Sequence, residues 1–320
     1  MSSSPIPPSA DQPLYTQEIL YNIEAELVND GQYITLQNSS GKTARSMNTN
    51  QGEDIGARYL RRGTRSIRNV VAFQDERDLR RLELQGKADM FFPVYNTSMA
   101  FSGPNHTEEE TRDTFTRILQ EFEESEEAAA IAELVKTHLR GRAVNKVIAF
   151  GLGRIGFLIP GSSQSFYEHA AARVIANAVG EVSPSTSIAL VVQDPLYTDV
   201  CKSVLGEFDF DVIEGFGAKG FALIDEHTVV LAHHPSFPLR EIIADLGRPA
   251  LICMKAQESM AEWVVVPALP DLRADVDSVR SRRMLQEYQS VALKVSGKQR
   301  AFWDNTWYVR NHDADPEQVS

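Results

Sequence analysis

The chain has 320 residues, 42% hydrophobic and 24% charged, which supports a sizeable core in one large domain or in a domain plus an extension. Its formal net charge of -12 gives a surface that repels phosphate backbones and anionic lipid, so neither nucleic acid nor membrane is an expected partner. The two cysteines, Cys201 and Cys253, have no disulfide or metal spacing around them. Met1-Ser2-Ser3-Ser4-Pro5 lacks the basic-then-apolar order of a signal peptide, and no apolar run approaches membrane-spanning length. The expected compartment is cytosol or nucleus.

The first residues are rich in Ser and Pro, and residues 1–16 are expected to be a disordered tail. Ile19, Leu20, Ile23 and Leu27 then recur at helical spacing and predict a helix over Gln17 to Val28. Ser39 to Asn50 reads as a polar loop. A basic segment follows, with Arg58, Arg61, Arg62, Arg65, Arg68, Arg77, Arg80 and Arg81. The acids Asp75, Glu76, Asp78 and Glu83 among the later arginines favour a solvated face laced with salt bridges over a phosphate-binding patch. Met90 to Val94 reads as a short strand. Thr107 with Glu110 is a capping box that opens a helix with Phe115, Ile118, Leu119 and Phe122 on one stripe. A second helix, Ala128 to Leu139, stops at Gly141. Residues 17–142 are therefore expected to form a mainly helical extension.

From Asn145 the pattern becomes α/β. Val147-Ile148-Ala149-Phe150 is a continuous apolar run, as expected for a strand covered on both faces, and it enters Gly151-Leu152-Gly153. Ser165 with Glu168 reads as a second capping box, opening a helix that leads to the strand Ile188 to Val192 and to Asp194-Pro195. Thr198 caps another helix, Val212-Ile213 runs into the glycine-rich Gly215 to Gly220, and Thr228 to Ala232 is a strand ending at His233-His234-Pro235. Leu239 to Leu246 is helical and Ala250 to Cys253 a further strand. Alternating strands and helices predict a Rossmann-like, doubly wound, mostly parallel sheet over residues 143–310. Val276 to Leu293 reads as a helix, and the aromatic Ala301 to Val309 as a final strand packed on the sheet. Residues 311–320 are expected to fray.

Four segments of this region carry a resemblance: Val147 to Gly153, Val192-Gln193-Asp194-Pro195-Leu196-Tyr197, Leu231 to Pro235, and Ala301-Phe302 with Asp304 and Thr306. In order and spacing the chain resembles the "sensitivity to red light reduced"-like (SRR-like) domain family over roughly Ala143 to Val309. The resemblance implies a regulatory protein, linked across the family to circadian and light signalling, haem metabolism, cytoskeletal phenotypes and proliferation, with no settled catalytic activity. Where the family more often has Pro-His-Cys, this chain has Ala232-His233-His234.

Gly151-Leu152-Gly153-Arg154-Ile155-Gly156 fits G-x-G-x-x-G after a strand, but the helix starts late and Asp194 lies farther on than the roughly 20 residues the dinucleotide fingerprint expects. In an open parallel sheet, ligands bind beyond the carboxyl ends of the strands, and Gly151, Gly153, Asp194, Gly215, Gly217, His233 and His234 all fall on that edge. The leading expectation is a regulatory protein with a small-ligand cleft there and protein partners reached through the extension. One alternative is a nucleotide- or S-adenosylmethionine-dependent transferase that uses Gly151, Gly153 and Asp194 for its cofactor and His233 near the chemistry. Another is a haem-responsive sensor using His233 or His234. Asp194 also suits a turn cap before Pro195. His233 and His234 are adjacent on a strand, so their side chains are expected to point to opposite faces and not to share one metal, although one of them could still be a haem or metal ligand. Ser163 and Ser165 lie in no nucleophile elbow.

Overall fold

Val147, Ile148, Ala149 and Phe150 are all fully buried, and they alternate between two apolar layers. Val147 and Ala149 face one core and Ile148 and Phe150 the other, so their strand can only lie inside a sheet covered on both sides. Each buried Val or Ile contributes about 1.5–3 kcal/mol of transfer free energy. The computed structural model describes residues 12–29, 31–38, 41–48, 66–101, 106–156, 163–184, 187–256, 275, 277–295 and 299–311. Of the expected tails 1–16 and 311–320, residues 1–11 and 312–320 lie outside the described residues, as do the arginines at 58, 61, 62 and 65 and Pro160 to Ser162. Leu14 and Tyr15 correct the first tail, because both are buried and hydrogen-bonded to Asp245.

In chain order the elements are α1 (Gln17–Val28), β1 (Tyr33–Gln37), β2 (Thr43–Met47), β3 (Ser66–Phe73), α2 (Glu76–Leu84), β4 (Val94–Phe101), α3 (Glu108–Glu123), α4 (Glu126–Leu139), β5 (Lys146–Phe150) and α5 (Ser163–Val182). They continue with β6 (Ala189–Gln193), α6 (Asp199–Glu207), β7 (Asp211–Val212), β8 (Thr228–Ala232), α7 (Leu239–Leu246), β9 (Leu251–Lys255), α8 (Val279–Leu285), β10 (Tyr288–Val291) and β11 (Asn305–Arg310). The main sheet has seven strands in the order β10-β11-β9-β8-β5-β6-β7. Strands β5 to β9 are parallel, β11 is antiparallel to β9, and β10 is antiparallel to β11. This is an α/β, Rossmann-like fold. The chain winds outward from β5 through β6 and β7, returns to β8 on the other side and continues to β9. The order therefore reverses between β5 and β8, and the crevice beyond their carboxyl ends is the topological switch point.

Helices α3, α4, α5 and α6 cover one face of this sheet. The other face is covered by α1, α7, α8 and residues of two antiparallel strand pairs, the hairpin β1-β2 and the pair β3-β4, which has α2 between its strands. These strand pairs correct the reading of the N-terminal region: Ser39 to Asn50 includes β2, and the basic segment includes β3. Alternation was hidden there because β2 is nowhere fully buried, its residues running exposed, intermediate, exposed. The expected helix Val276 to Leu293 is also corrected. It breaks after Leu285, and Tyr288 to Val291 joins the sheet edge as β10.

The layer formed by α1, α7 and α8 is pinned by charge. Leu14 and Tyr15 donate their N–H groups to Asp245 Oδ2 at 2.7 and 3.0 Å, and Arg280 bridges Asp245 and Glu241. Asp75 caps α2 and takes Arg77 Nε at 2.9 Å, while Arg80 pairs with Glu76 and Arg81 with Asp78. The described part of the basic segment is thus the salt-bridged face that its acidic interleaving suggests.

Candidate switch-point site

Strand β8 stops at Ala232, and the two histidines that follow leave the sheet. His234 has φ 47, a left-handed conformation uncommon for a residue with a Cβ, and the turn it makes brings both rings to one side. Their centroids are 4.3 Å apart. This corrects the expectation of opposite faces: strand alternation does not apply once the strand has ended.

His233 is buried between two carboxylates. Its Nδ1 lies 2.5 Å from Glu168 Oε1, on α5, and its Nε2 lies 2.9 Å from Asp304 Oδ1, just before β11. The other Asp304 oxygen, Oδ2, is 2.9 Å from His234 Nε2. Gln164 Nε2 donates to Glu168 Oε1 at 2.8 Å within α5, and Asn305 Nδ2 donates to the Ala232 carbonyl at 2.7 Å, so the start of β11, next to Asp304, is tied to the end of β8. Burial pulls the His233 imidazole towards lower pKa, but the Glu168 and Asp304 carboxylates outweigh it and hold the ring above its ordinary value. Trp303 is half exposed, with its ring 5.8 Å from each imidazole. The sequence reading placed Glu168 in a capping box. Helix α5 instead begins at Ser163, Ser165 Oγ donates to the Gly153 carbonyl at 2.9 Å, and Glu168 is free to face His233.

On the β5 side of the crevice, Gly151 and Gly153 both have positive φ, 66 and 74, which accounts for glycine at these two positions. The Gly153 N–H donates to Asp194 Oδ2 at 2.7 Å and the Leu196 N–H to Asp194 Oδ1 at 2.7 Å, so Asp194 acts as the cap of its own turn. Burial raises the Asp194 carboxyl to about 6, against the lowering effect of those two N–H groups. Next to it, His169 is wholly buried, with Nδ1 2.6 Å from the Ser165 carbonyl and Nε2 2.7 Å from Tyr197 Oη.

Gly215 and Gly217 lie in a loop that receives a group from within the chain. The Glu24 carboxylate of α1 accepts N–H groups from Phe216 at 2.9 Å, Ala218 at 2.7 Å and Lys219 at 3.3 Å. Successive backbone N–H groups of this kind form an anion-binding nest, and here the anion is Glu24. The structure therefore brings together His233, His234, Glu168 and Asp304, leaves Asp194 with Gly153, and sets Gly215 and Gly217 against α1. Cys253 is buried and its thiol is pushed well up by that burial; Cys201 is buried and lies 3.2 Å from the Ile155 carbonyl. Neither is a poised nucleophile.

A family model described as "SRR1 domain" matches residues 118–309. It begins within α3, well before β5. A solved structure described as a "putative methyltransferase" from Thermoplasma acidophilum is similar over 54% of this chain and 70% of that chain, at 12% identity and a TM-score of 0.24. Comparison with curated proteins found no match. No helix among the described residues is long and apolar enough to cross a membrane.

Proposed function

The chain belongs to the SRR1 domain family, and from that premise we propose that it is a regulatory protein whose small-ligand site is the β5/β8 crevice, centred on His233. The regulatory part rests on the family. The observation that carries the site is the position of His233 at the topological switch point, buried between Glu168 and Asp304. A buried, polarised imidazole beside a half-exposed one gives a ligand both a fixed anchor and an approach from solvent. The cluster is carboxylate-rich, so it favours a cation or a hydrogen-bond donor over a phosphate.

A nucleotide or S-adenosylmethionine transferase has less support. The N–H groups that would greet an anionic cofactor at Gly153 and at the loop from Phe216 to Lys219 already bond to Asp194 and Glu24. A haem sensor would draw on the same two Nε2 atoms, of His233 and His234, but haem iron, already held by the porphyrin nitrogens, offers no position to the Asp304 carboxylate that both atoms engage. Output to protein partners and a cytosolic or nuclear location complete the proposal.

The test is thermal unfolding against NAD(H), NADP(H), S-adenosylmethionine, S-adenosylhomocysteine, ATP, haemin and small amines, for wild type and for His233→Ala and Asp304→Asn. A ligand present at a hundredfold excess over its Kd should add about 2.7 kcal/mol to stability. A shift that both substitutions abolish supports the site. A shift that survives both places the ligand elsewhere.

A further inference from the structure

We propose that His233, His234 and Asp304 form the binding site of one divalent transition-metal ion, with Glu168 as the outer partner that orients His233. The proposal deepens the reading above and rests on it, because it names the ligand class of the same crevice.

Each of the three residues offers one donor atom, and these atoms all lie within 4.8 Å of one another. Bonds of about 2.0–2.2 Å in a tetrahedral shell separate ligand atoms by about 3.4 Å, so the donors need to move little to close on an ion. The contacts of 2.9 Å from Asp304 to each Nε2 already bring the carboxylate against both imidazoles. In a metal complex it would turn one oxygen to the ion while both Nε2 atoms give up hydrogen bonding for coordination.

The surroundings match what metal-binding histidines require. A ligating imidazole donates its other ring N–H to a carboxylate, which sets the tautomer and makes the ligating nitrogen more basic. Glu168 does this for His233: Oε1 lies 2.5 Å from Nδ1, leaving Nε2 to face Asp304 and the ion. Glu168 is itself held by Gln164. The donors also differ in access. The His233 side chain is 6% exposed, His234 48% and Asp304 22%, so a buried anchor and an open rim leave coordination positions for water or a small molecule. Two imidazoles and one carboxylate suit zinc or ferrous iron; the all-oxygen shells of magnesium and calcium are a poor match.

The competing role is a purely structural latch, in which Asp304 ties the loop after β8 to the loop before β11 through hydrogen bonds alone. Tag-free full-length protein, stripped with a chelator, separates the two when titrated with Co²⁺ by visible ligand-field absorption and with Zn²⁺ by competition. The expected result is one saturable equivalent that Zn²⁺ displaces, lost in His234→Ala and in Asp304→Ala and weakened roughly 10–100-fold in Glu168→Gln. His234 is half exposed, so His234→Ala should retain the wild-type circular dichroism spectrum and a cooperative melt. The absence of a saturable band in wild type, or equal binding in folded His234→Ala, overturns the metal site. If the metal is absent but an organic ligand shifts the melt in an Asp304-dependent manner, the crevice reading survives and only the metal falls. If neither occurs, both fall.

Discussion

Glu24 and Phe216 are 192 residues apart in sequence, yet the Glu24 carboxylate accepts the Phe216 main-chain N–H at 2.9 Å. The same carboxylate takes Ala218 and Lys219, and the Phe216 carbonyl in turn accepts the Val71 N–H of β3 at 2.7 Å. The glycine-rich loop after β7 is therefore clamped by the N-terminal region on both sides. Glu24→Ala would leave three N–H groups without their charged acceptor in a buried place, and hydrogen bonds to charged groups contribute about 1.5–3 kcal/mol each, partly recovered by entering water. The expected loss is roughly 3 kcal/mol in urea unfolding. Unchanged stability would show that the nest is not held by Glu24.

Gly215 makes the clamp testable from the other side. A Cβ there would lie 2.6 Å from Glu24 Oε2, and its φ of 137 is strained for any side chain. Gly215→Ala should destabilise alone, and a double-mutant cycle with Glu24→Ala should show coupling of about 1 kcal/mol or more as the clash disappears and the φ strain remains. Strict additivity would count against direct contact.

Much of the frame was legible because it follows from periodicity. The buried run Val147 to Phe150, the helix Gln17 to Val28, the Thr107–Glu110 capping box and the strand Thr228 to Ala232 are local patterns that tertiary packing reinforces. The switch-point edge was legible for the same reason, since strand ends can be read from strand runs. The partners were not. Glu168 obeys the local rule for a capping box and is recruited by His233, 65 residues away. Asp304 and Trp303 sat inside an apparent strand that starts only at Asn305. Glu24 carried one readable signal, an acid four residues after Leu20 and three before Leu27, within the apolar stripe of α1, where a charge must find a partner.

Asp194 separates a structural role from a cofactor role. Both its oxygens accept main-chain N–H groups, from Gly153 and Leu196, in a buried setting. Asp194→Ala is expected to cost roughly 2–3 kcal/mol without any ligand present, because it orphans two donors. Asp194→Asn keeps one good acceptor and should cost less. Chemical denaturation of the apo protein reads both. If Asp194→Ala unfolds at the wild-type midpoint, Asp194 does not hold this turn and its role must lie with a ligand.

The acid sensitivity of the fold should run through His169. Burial depresses its pKa to about 4, against the raising effect of the Ser165 carbonyl. Nδ1–H donates to that carbonyl, and the neutral Nε2 accepts from the Tyr197 hydroxyl. Between pH 6.5 and about 4 the unfolded chain holds a proton on this group that the folded chain does not. The unfolded state then binds more protons, so stability rises with pH through that window and is lost as pH falls through it. A shift of this size corresponds to roughly 3 kcal/mol at most. Asp194, whose pKa is raised, works in the opposite sense between its ordinary value of 3.8 and about 6, because there the folded state holds the extra proton and stability falls as pH rises. The comparison of wild type with His169→Gln removes that contribution, since Asp194 is present in both. Unfolding free energies measured from pH 7 to pH 4 should fall more steeply for wild type than for the variant, the two curves converging as the pH drops. Parallel curves would mean that His169 is protonated in the folded state, and that the Ser165 and Tyr197 bonds accommodate the imidazolium.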